Sequence, residues 1–300
     1  MLLLTAFIWG SSFVAQSVGM ESVDSFTFNG LRTLMGAAVL IPFILIRDKV
    51  NSKKTGAPSA EERKKADKKV VVYGAVLGVI LCAASNFQQH AFNYSTAGKI
   101  AFITAFYMMF VPILGLIIRK KVPLVTWICV ALGTVGLYFL CVGEEGIVGI
   151  NFGDVLTLIC SVIYAVHILA IEKFAADADP VKLSCVQFTV SGLISVILMF
   201  IFETPDPVAI RACIVPMLYS GIMSCGLAYT FQIVGQKYTE STVASLLMCM
   251  ESVFGVLCSA LLLQERLSGR ELLGCGIMFL AIILSQLGDK ITAAMKRKAE

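Results

Sequence analysis

Charged residues are scarce in this sequence. Asp, Glu, Lys and Arg make up only 15% of its 300 residues, whereas 58% of the residues are hydrophobic and the mean hydropathy is +0.85. A soluble domain has about 25% charged and about 45–50% apolar residues. The composition therefore excludes a water-soluble domain, and it also excludes intrinsic disorder, which requires few apolar residues and a high charge. The sequence instead predicts a protein embedded in a membrane.

Motifs of common enzymes and of metal sites are also missing. The sequence contains no G-x-S-x-G, H-E-x-x-H or P-loop motif, and its two histidines, His90 and His167, lie in different apolar segments. Its ten cysteines include no C-x-x-C pair, so we expect neither a disulfide framework nor a metal site nor a cofactor. Because an ATP-binding motif is missing, a transport activity would be that of a secondary carrier.

Long apolar runs follow one another along the whole chain. A helix needs about 20 mostly apolar residues to cross a bilayer, and the shorter alternating runs of barrel strands do not fit this pattern. We therefore predict an all-α integral membrane protein with ten transmembrane helices. Their predicted ranges are 2–18, 26–46, 70–90, 97–118, 122–142, 152–171, 183–202, 212–234, 242–263 and 270–287. The first run is short and begins at Met1, which leaves open a slightly truncated N-terminus.

The basic residues predict the orientation of the chain. Ten spans place both termini on one side, and loops rich in Lys and Arg face the cytoplasm. That side carries nineteen of the 24 basic residues, nine of them in the linker of residues 47–69, whereas the other side carries four and Arg32 lies within a span. We expect a multi-pass protein of the cell membrane with both termini and the linker in the cytoplasm. Acidic residues interleave with the basic ones in the linker, which argues against a nucleic-acid partner and favours anionic lipid or a solvated loop.

A short motif occurs twice in the sequence. Phe87-Gln88 and Phe231-Gln232 are each followed by a tyrosine at the same distance, Tyr94 and Tyr238, at the end of the third and the eighth predicted span. A Ser-Thr pair and a long apolar run follow both copies. The repetition predicts a duplicated chain, and because each half has an odd number of spans, the second half would be inverted in the membrane.

This 5+5 inverted repeat divides the chain into three parts. They are a first five-helix repeat at residues 1–146, a second repeat at 147–288 and a cytoplasmic tail at 289–300. In transporters with such repeats, the binding site lies between the halves near the middle of the membrane.

Several motifs resemble those of the EamA-type drug/metabolite transporters. They are Trp9-Gly10-Ser11-Ser12-Phe13, Thr104-Ala105-Phe106-Tyr107 with Val111-Pro112-Ile113 and Lys120-Lys121-Val122-Pro123, and Glu251-Ser252-Val253-Phe254 with Gln264-Glu265-Arg266-Leu267-Ser268. Each motif is weak alone, but their order over residues 1–288 is specific. The family commonly has Glu-Pro where this chain has Glu251-Ser252, so the proline kink is missing here. The resemblance implies a ten-span transporter with cytoplasmic termini that moves amino acids, other metabolites or drugs, often outward.

Two ionisable residues at membrane depth are candidates for proton coupling, because such residues are costly there and usually functional. Glu251 is the one acid near the centre of a span, and the small residues on its helix face would turn it towards other helices. It could carry a proton or bind a substrate amine, or it could be a neutral structural carboxyl. His167 ends a polar stripe on the sixth span and could titrate or simply bond to a neighbouring helix.

The other candidate residues carry amide and aromatic groups, which suit neutral or zwitterionic ligands. Helix packing is the alternative role for each of them. The predicted substrate-binding residues are Trp9, Asn86, Gln88, Tyr107, Tyr164, His167, Tyr229, Gln232 and Glu251. Arg32 and Lys99 could attract a carboxylate, although extension to the lipid headgroups is the commoner behaviour of such residues. Gly74 and Gly78 form a G-x-x-x-G motif that predicts close helix packing, and a homodimer is left open.

We therefore expect a secondary transporter that exports small metabolites across the cytoplasmic membrane by alternating access. The substrate would be a small molecule such as an amino acid, a related compound or a drug. The alternative is a polytopic membrane enzyme or an assembly subunit without transport activity. An enzyme of this kind should bring two or more catalytic side chains to one depth in the membrane.

Overall fold

The computed structural model describes residues 1–55, 59–95, 97–142, 150–263 and 268–299. These residues are helical and contain no strand. The helices are α1 (Leu2–Met20), α2 (Ser25–Thr55), α3 (Ala60–Ala91), α4 (Ala97–Thr104), α5 (Tyr107–Ile117), α6 (Leu124–Cys141), α7 (Phe152–Ala175), α8 (Pro180–Phe202), α9 (Pro207–Ala212), α10 (Ile214–Tyr219), a π-helix (Ser220–Tyr229), α11 (Thr230–Gln236), α12 (Ser241–Met248), α13 (Met250–Leu263) and α14 (Gly269–Ala299). Of the motif residues named above, Thr96 of the first Ser-Thr pair and residues 264–267 lie outside the described ranges, as does residue 300 of the tail.

Eight helical segments within the described residues are long and apolar enough to cross a membrane. They are Leu2–Met20, Ser25–Ser52, Glu61–Ala91, Lys99–Ile117, Phe152–Ala175, Pro180–Phe202, Ile214–Gln236 and Ser241–Cys258, and Leu124–Leu140 is a shorter apolar helix. The last predicted range, 270–287, lies on α14. The prediction of an all-helical membrane protein is therefore confirmed.

The surface of the molecule is apolar and many polar side chains are inside. Phe200 and Ile117 are 70% and 72% exposed, whereas Asn29, Gln89 and Ser191 are fully buried. A soluble protein has the opposite arrangement. Lipid offers no hydrogen bonds, so polar groups of a membrane protein turn towards other helices.

Three predicted spans are not single helices, in contrast to the expectation from their apolar runs. The fourth is interrupted at residues 105–106, where Phe106 and Met108 donate backbone bonds to the third residue before them, with lengths of 3.2 and 3.1 Å. The ninth is interrupted at Cys249, whose thiol donates to the Leu246 carbonyl and whose own carbonyl accepts from the backbone N–H of Ser252, three residues later, at 3.2 Å. Bonds to the third residue before, in place of the fourth, depart from the regular α-helix pattern. The eighth contains the π-helix, a wide helical turn that is frequent at functional sites.

The charged linker of residues 47–69 is largely helical, because α2 and α3 extend beyond the apolar runs into it. Lys, Glu and Ala, which are good helix formers, are common there. Ser59 caps α3, since its hydroxyl accepts from the backbone of Glu62 while the Glu62 carboxylate accepts from the backbone of Ser59. Arg47 forms ion pairs with Asp48, on the same helix, and with Asp179, and the second pair connects α2 to the start of α8.

The long helices pack against one another in defined pairs. Helix α2 packs along α8, α6 packs along α14, α3 contacts both α7 and α8, and α1 contacts α13 and the π-helix. Gly74 and Gly78 allow α3 to approach α8, because a Cβ atom added to them would lie 2.6 Å from Val186 Cβ and 2.7 Å from the Gln187 carbonyl oxygen. The G-x-x-x-G motif thus provides the close packing that it predicts, within the chain.

Candidate functional site

A cavity lies at the centre of the helix assembly, where α1, α2, α3, the fourth, sixth and eighth predicted spans and α13 converge. Its lining residues are Trp9, Phe13, Gln16, Arg32, Gln88, Thr104, Tyr107, Tyr164, Ile168, Ser224, Tyr229, Gln232 and Glu251. The volume of this cavity is about 40 Å³. Since one water needs about 10–15 Å³ of such volume, this conformation has room for roughly three waters, and a metabolite would require the helices to move apart.

Gly10 brings α1 against α13 at the cavity wall. A Cβ atom added to Gly10 would lie only 2.5 Å from the backbone oxygen of Glu251 and 2.6 Å from the backbone nitrogen of Gly255. Atoms do not approach so closely, so only glycine permits this contact. The contact places Trp9 and Glu251, on neighbouring helices, in the wall of the same cavity.

The interruptions of the fourth and ninth spans lie at the cavity and bring Tyr107 to Glu251. Tyr107 is the first residue of α5, and Glu251 is the second residue of α13. The phenol oxygen of Tyr107 donates a hydrogen bond of 3.1 Å to Oε1 of Glu251. Both side chains are buried, at 3% and 4% exposure. The carboxyl group is therefore held by one neutral donor, and it has no cationic partner within the described residues.

Amide and hydroxyl groups form a chain across the cavity. Gln88 Nε2 donates to Thr104 Oγ1 at 3.1 Å, and Tyr164 donates to Gln88 Oε1 at 3.4 Å. The hydroxyl groups of Tyr164 and Tyr229 lie 3.2 Å apart, and the ring of Tyr229 lies 4.6 Å from that of Trp9. Polar tips and aromatic faces thus alternate, and such a wall can hold both an apolar body and a polar group of one ligand.

Some polar atoms of the lining residues have no hydrogen-bond partner. They are Nε1 of Trp9, Oε1 of Gln16 and Oε1 of Gln232. Leaving a buried polar atom without a partner costs about 1–3 kcal/mol. Water or a ligand that reaches these atoms in a wider form of the cavity would provide the missing bonds.

The structure brings seven of the nine predicted site residues together and separates two from them. Trp9, Gln88, Tyr107, Tyr164, Tyr229, Gln232 and Glu251 line the cavity, whereas Asn86 and His167 do not. Asn86 donates to Ser195 on α8 at 2.8 Å. His167 is fully buried, and its Nε2 lies 3.2 Å from Oε1 of Gln187. His167 touches the site only through its ring, which is 6.5 Å from that of Tyr229.

Several lining residues were not among the predicted set. Phe13 and Gln16 follow Trp9 at steps of four and three residues, and Ile168 follows Tyr164 at a step of four. These are helical spacings, so the face of each predicted residue would have identified them. Thr104 and Ser224 gave no such signal, since they lie beside the helix interruption and within the π-helix.

Lys99 and Arg32, the two cations that could attract a carboxylate, have different surroundings in the structure. Lys99 forms an ion pair with Asp154 at 2.6 Å, at the N-terminal ends of the fourth and sixth spans. Arg32 lines the cavity and is 5% exposed, so its side chain does not extend to the end of its helix. Its Nε donates to Asn29 Oδ1 at 3.1 Å.

No group of three or more metal-binding side chains occurs among the described residues. The nine cysteines whose side chains are described are free thiols, and most of them are buried. Thiols in such positions behave as small apolar groups. The chemistry of the cavity thus rests on Arg32, Glu251, amides, hydroxyls and aromatic rings.

Known proteins share both the fold and the sequence pattern. A crystal structure superposes with a TM-score of 0.75 at 18% identity, covering 95% of each chain, which shows the fold alone. An uncharacterized transporter of Archaeoglobus fulgidus is 28% identical over 95% of this chain and 84% of its own length. The uncharacterized inner membrane transporter YedA of Escherichia coli is 23% identical over 96% of this chain and 90% of its own.

A family profile matches the chain as well. The profile described as the EamA-like transporter family matches residues 1–142 and 151–287, which is nearly the whole chain. The match agrees with the resemblance carried by the motifs at Trp9, Thr104 and Glu251, and with a polar cavity inside an apolar helix assembly. The chain is therefore a membrane transporter that belongs to the EamA-like transporter family.

Proposed function

We propose that the protein is a secondary transporter that exports small metabolites across the cell membrane by alternating access, with the substrate bound in the central cavity. The observation that carries this proposal is the cavity itself. It combines one cation, one carboxyl group, amides and aromatic rings within a helix assembly whose outer surface is apolar. The export direction is an expectation from the resemblance to drug/metabolite transporters.

Glu251 is the proposed proton carrier. An ionised carboxylate in a buried site requires partners, because an unpaired charge in the membrane costs several kcal/mol. The described partner of Glu251 is the neutral phenol of Tyr107, so the protonated carboxyl fits this environment better than the anion. Proton release would then accompany a change in the cavity, which is how a proton gradient could drive substrate movement. His167 is the second candidate, although its nearest described polar partner is Gln187 and it lies outside the lining.

Pairs of residues in the two halves, 1–146 and 147–288, are separated by the same number of residues, which supports an inverted repeat of five spans in each half. Gln88 and Gln232 both line the cavity and are 144 residues apart, as are Tyr107 and Glu251. Helices α4 and α12 start and end with the same offset. The two ranges matched by the family profile also divide between residues 142 and 151.

Helix contacts support the same repeat. If spans one to five are exchanged with spans six to ten, the α1–α13 contact becomes the α7–α5 contact, and the α3–α8 contact becomes the contact between the π-helix and α2. Both of the resulting contacts are also present. The α2–α8 and α6–α14 contacts convert into themselves. Tyr107 and Glu251 are separated by the 144-residue offset between the two repeats and contact each other. They would then lie at the pseudo-two-fold axis in the membrane plane, one on each side of it.

Vesicle transport tests the proposal. Cells that overproduce the protein should lose specific metabolites to the medium, and each such metabolite should be taken up by inside-out membrane vesicles when a pH gradient is imposed. Purified protein in liposomes should exchange the same compound without a gradient. If no metabolite is lost and none of the candidates is exchanged by the folded, reconstituted protein, the transport proposal fails and the alternative of an assembly subunit gains weight.

A further inference from the structure

Arg32 is a buried cation in the cavity wall, and the described residues provide no acidic partner for it. It lies on α2 at 5% exposure, and its Cζ lies 5.7 Å from the centre of the Phe28 ring. None of the ion pairs among the described residues includes Arg32. A buried guanidinium without a counter-ion is costly, so the position is expected to serve a function.

A chain of amides fixes the orientation of this guanidinium. Nε of Arg32 donates to Asn29 Oδ1, and Asn29 in turn donates to Asn86 Oδ1 at 2.9 Å and Ser85 Oγ at 3.0 Å. Asn86 is held by Ser195 on α8. These bonds use only Nε, and the two terminal amino groups of Arg32 make no hydrogen bond to the described residues. The outer edge of the fork is therefore available to a ligand in the cavity.

Arg47, on the same helix as Arg32, has the carboxylates of Asp48 and Asp179 as ion-pair partners. None of the described acids forms an ion pair with Arg32, so an acidic partner for Arg32 in the cavity would come from a ligand.

We propose that Arg32 binds the carboxylate of the substrate, so that the transported molecules are small monocarboxylates with an apolar or aromatic body. This inference rests on the proposed function of the cavity. A guanidinium with two free amino groups matches the geometry of a carboxylate. The aromatic rings of Trp9, Tyr164 and Tyr229 line the same cavity and fit the apolar body.

The charge of the cavity favours a carboxylate over a phosphate. Arg32 is the only cation among the lining residues, and Glu251 is the only acid. A phosphate monoester carries about −1.5 to −2 charges at neutral pH, so one arginine would leave part of its charge uncompensated beside Glu251. One carboxylate balances one guanidinium.

Binding of matched pairs of compounds tests this assignment before the substrate itself is identified. Purified protein in detergent is mixed with the twenty amino acids, lactate, phenylacetate and indole-3-acetate, and each compound is compared with its own amide, which lacks the charge. We expect at least one acid to raise the melting temperature of the protein while its amide does not. In Arg32→Gln the affinity for that acid should fall about 30-fold or more, and Arg32→Lys should restore part of it.

The outcomes separate this inference from the transport proposal. The role of Arg32 is overturned if the wild type binds an acid and its amide equally, or if it binds only amines and neutral compounds. It is also overturned if Arg32→Gln binds the acid with the affinity of the wild type. The absence of binding by every compound in the panel also counts against it. If Arg32→Gln does not fold, the comparison of acids with amides on the wild type still decides. Carboxylate-dependent binding without flux in liposomes would instead contradict the transport proposal and leave the Arg32 site standing.

Discussion

Tyr107 and Glu251 are joined by a hydrogen bond of 3.1 Å across the central cavity, although 144 residues separate them in the chain. Each lies at the third position after the end of the preceding short helix, Thr104 for one and Met248 for the other. Two interrupted helices thus meet with their interruptions side by side. The bond joins two helices that would have to separate if the cavity opened, and it involves the one acid of the cavity wall.

The role of Glu251 can be tested with two substitutions that differ in polarity. Glu251→Gln keeps the size and the acceptor for Tyr107 but cannot ionise. We expect it to fold and to abolish uptake driven by a pH gradient, while exchange of substrate without a gradient continues, because the cavity is intact. Reconstituted protein with labelled substrate provides both measurements.

Glu251→Leu is the matched variant for a purely structural role. It removes the acceptor and leaves the Tyr107 hydroxyl without a partner, at a cost of about 1–3 kcal/mol. If Glu251 is only a structural link, Glu251→Leu should lower the amount of folded protein and Glu251→Gln should transport like the wild type under a gradient. That second result would move the proton-coupling role to His167.

The sequence predicted the helices well because apolar runs of bilayer length leave few other structures. Each of the ten predicted ranges falls largely on helices, and many large apolar side chains are exposed as expected. It did not predict the interruptions at residues 105–106 and Cys249 or the π-helix. These depend on which backbone carbonyls are taken by local bonds and on how closely neighbouring helices approach, and an apolar run contains no sign of either.

The site was predictable in part for a similar reason. Polar residues in apolar spans point inwards, which brought Gln88, Gln232 and Glu251 into the candidate set. Asn86 and His167 also point inwards, but towards α8 and not into the cavity. A polar side chain in an apolar span predicts that the residue faces other helices, but it does not predict which helix the residue faces. Arg32 shows the same limit, since it donates to Asn29 on its own helix, which in turn donates to Asn86 on α3, and the sequence does not predict these bonds.

Gly10 allows a prediction with an internal control. Gly10→Ala places a Cβ atom 2.5 Å from the Glu251 backbone oxygen, so α1 and α13 must separate and Trp9 must shift. We expect a loss of stability of about 1–3 kcal/mol, by the measure of overpacked cores, together with impaired transport. Gly276→Ala is the control, because a Cβ atom there meets no atom within 4 Å and Gly276 lies inside α14.

The control should be neutral or slightly stabilising, since Ala is favoured over Gly within a helix by up to about 1 kcal/mol. Thermal unfolding of the purified variants measures both effects under the same conditions. Equal melting temperatures for Gly10→Ala and the wild type would show that α1 and α13 tolerate a side chain at their contact, contrary to the tight packing described above.

The proposed orientation predicts where two reporters lie. Nineteen of the 24 basic residues fall on the side of the termini and the 47–69 linker in the ten-span arrangement. A phosphatase reporter, active only outside the cytoplasm, should therefore be inactive when fused after Ala60 or Glu300. A fluorescent reporter that matures only in the cytoplasm should be active at both sites. Opposite locations for the two sites would contradict an even number of spans.

Two ion pairs connect the fourth and sixth spans on either side of the cavity. Lys99 and Asp154 join their N-terminal ends, while Lys120 and Glu172 join their C-terminal ends. Thr104, Tyr107, Tyr164 and Ile168 line the cavity between these pairs. Both pairs are formed in this conformation. The proposed alternating access would require each pair to break in a different state.

Neutral substitutions of the acids should therefore open opposite ends. Asp154→Asn keeps an oxygen for the helix cap that Asp154 makes with Asn151, and Glu172→Gln keeps one for the backbone of Ser241. Loss of a partly buried ion pair worth about 1–2 kcal/mol shifts an equilibrium about 5- to 30-fold.

Labelling of Ser224→Cys, in the cavity wall, by an impermeant thiol reagent measures the opening from each side of sealed vesicles. The protein without this added cysteine gives the background. We expect Asp154→Asn to increase labelling from the extracellular side only and Glu172→Gln from the cytoplasmic side only. An increase from the same side in both variants would show that the two pairs do not close opposite ends of the cavity.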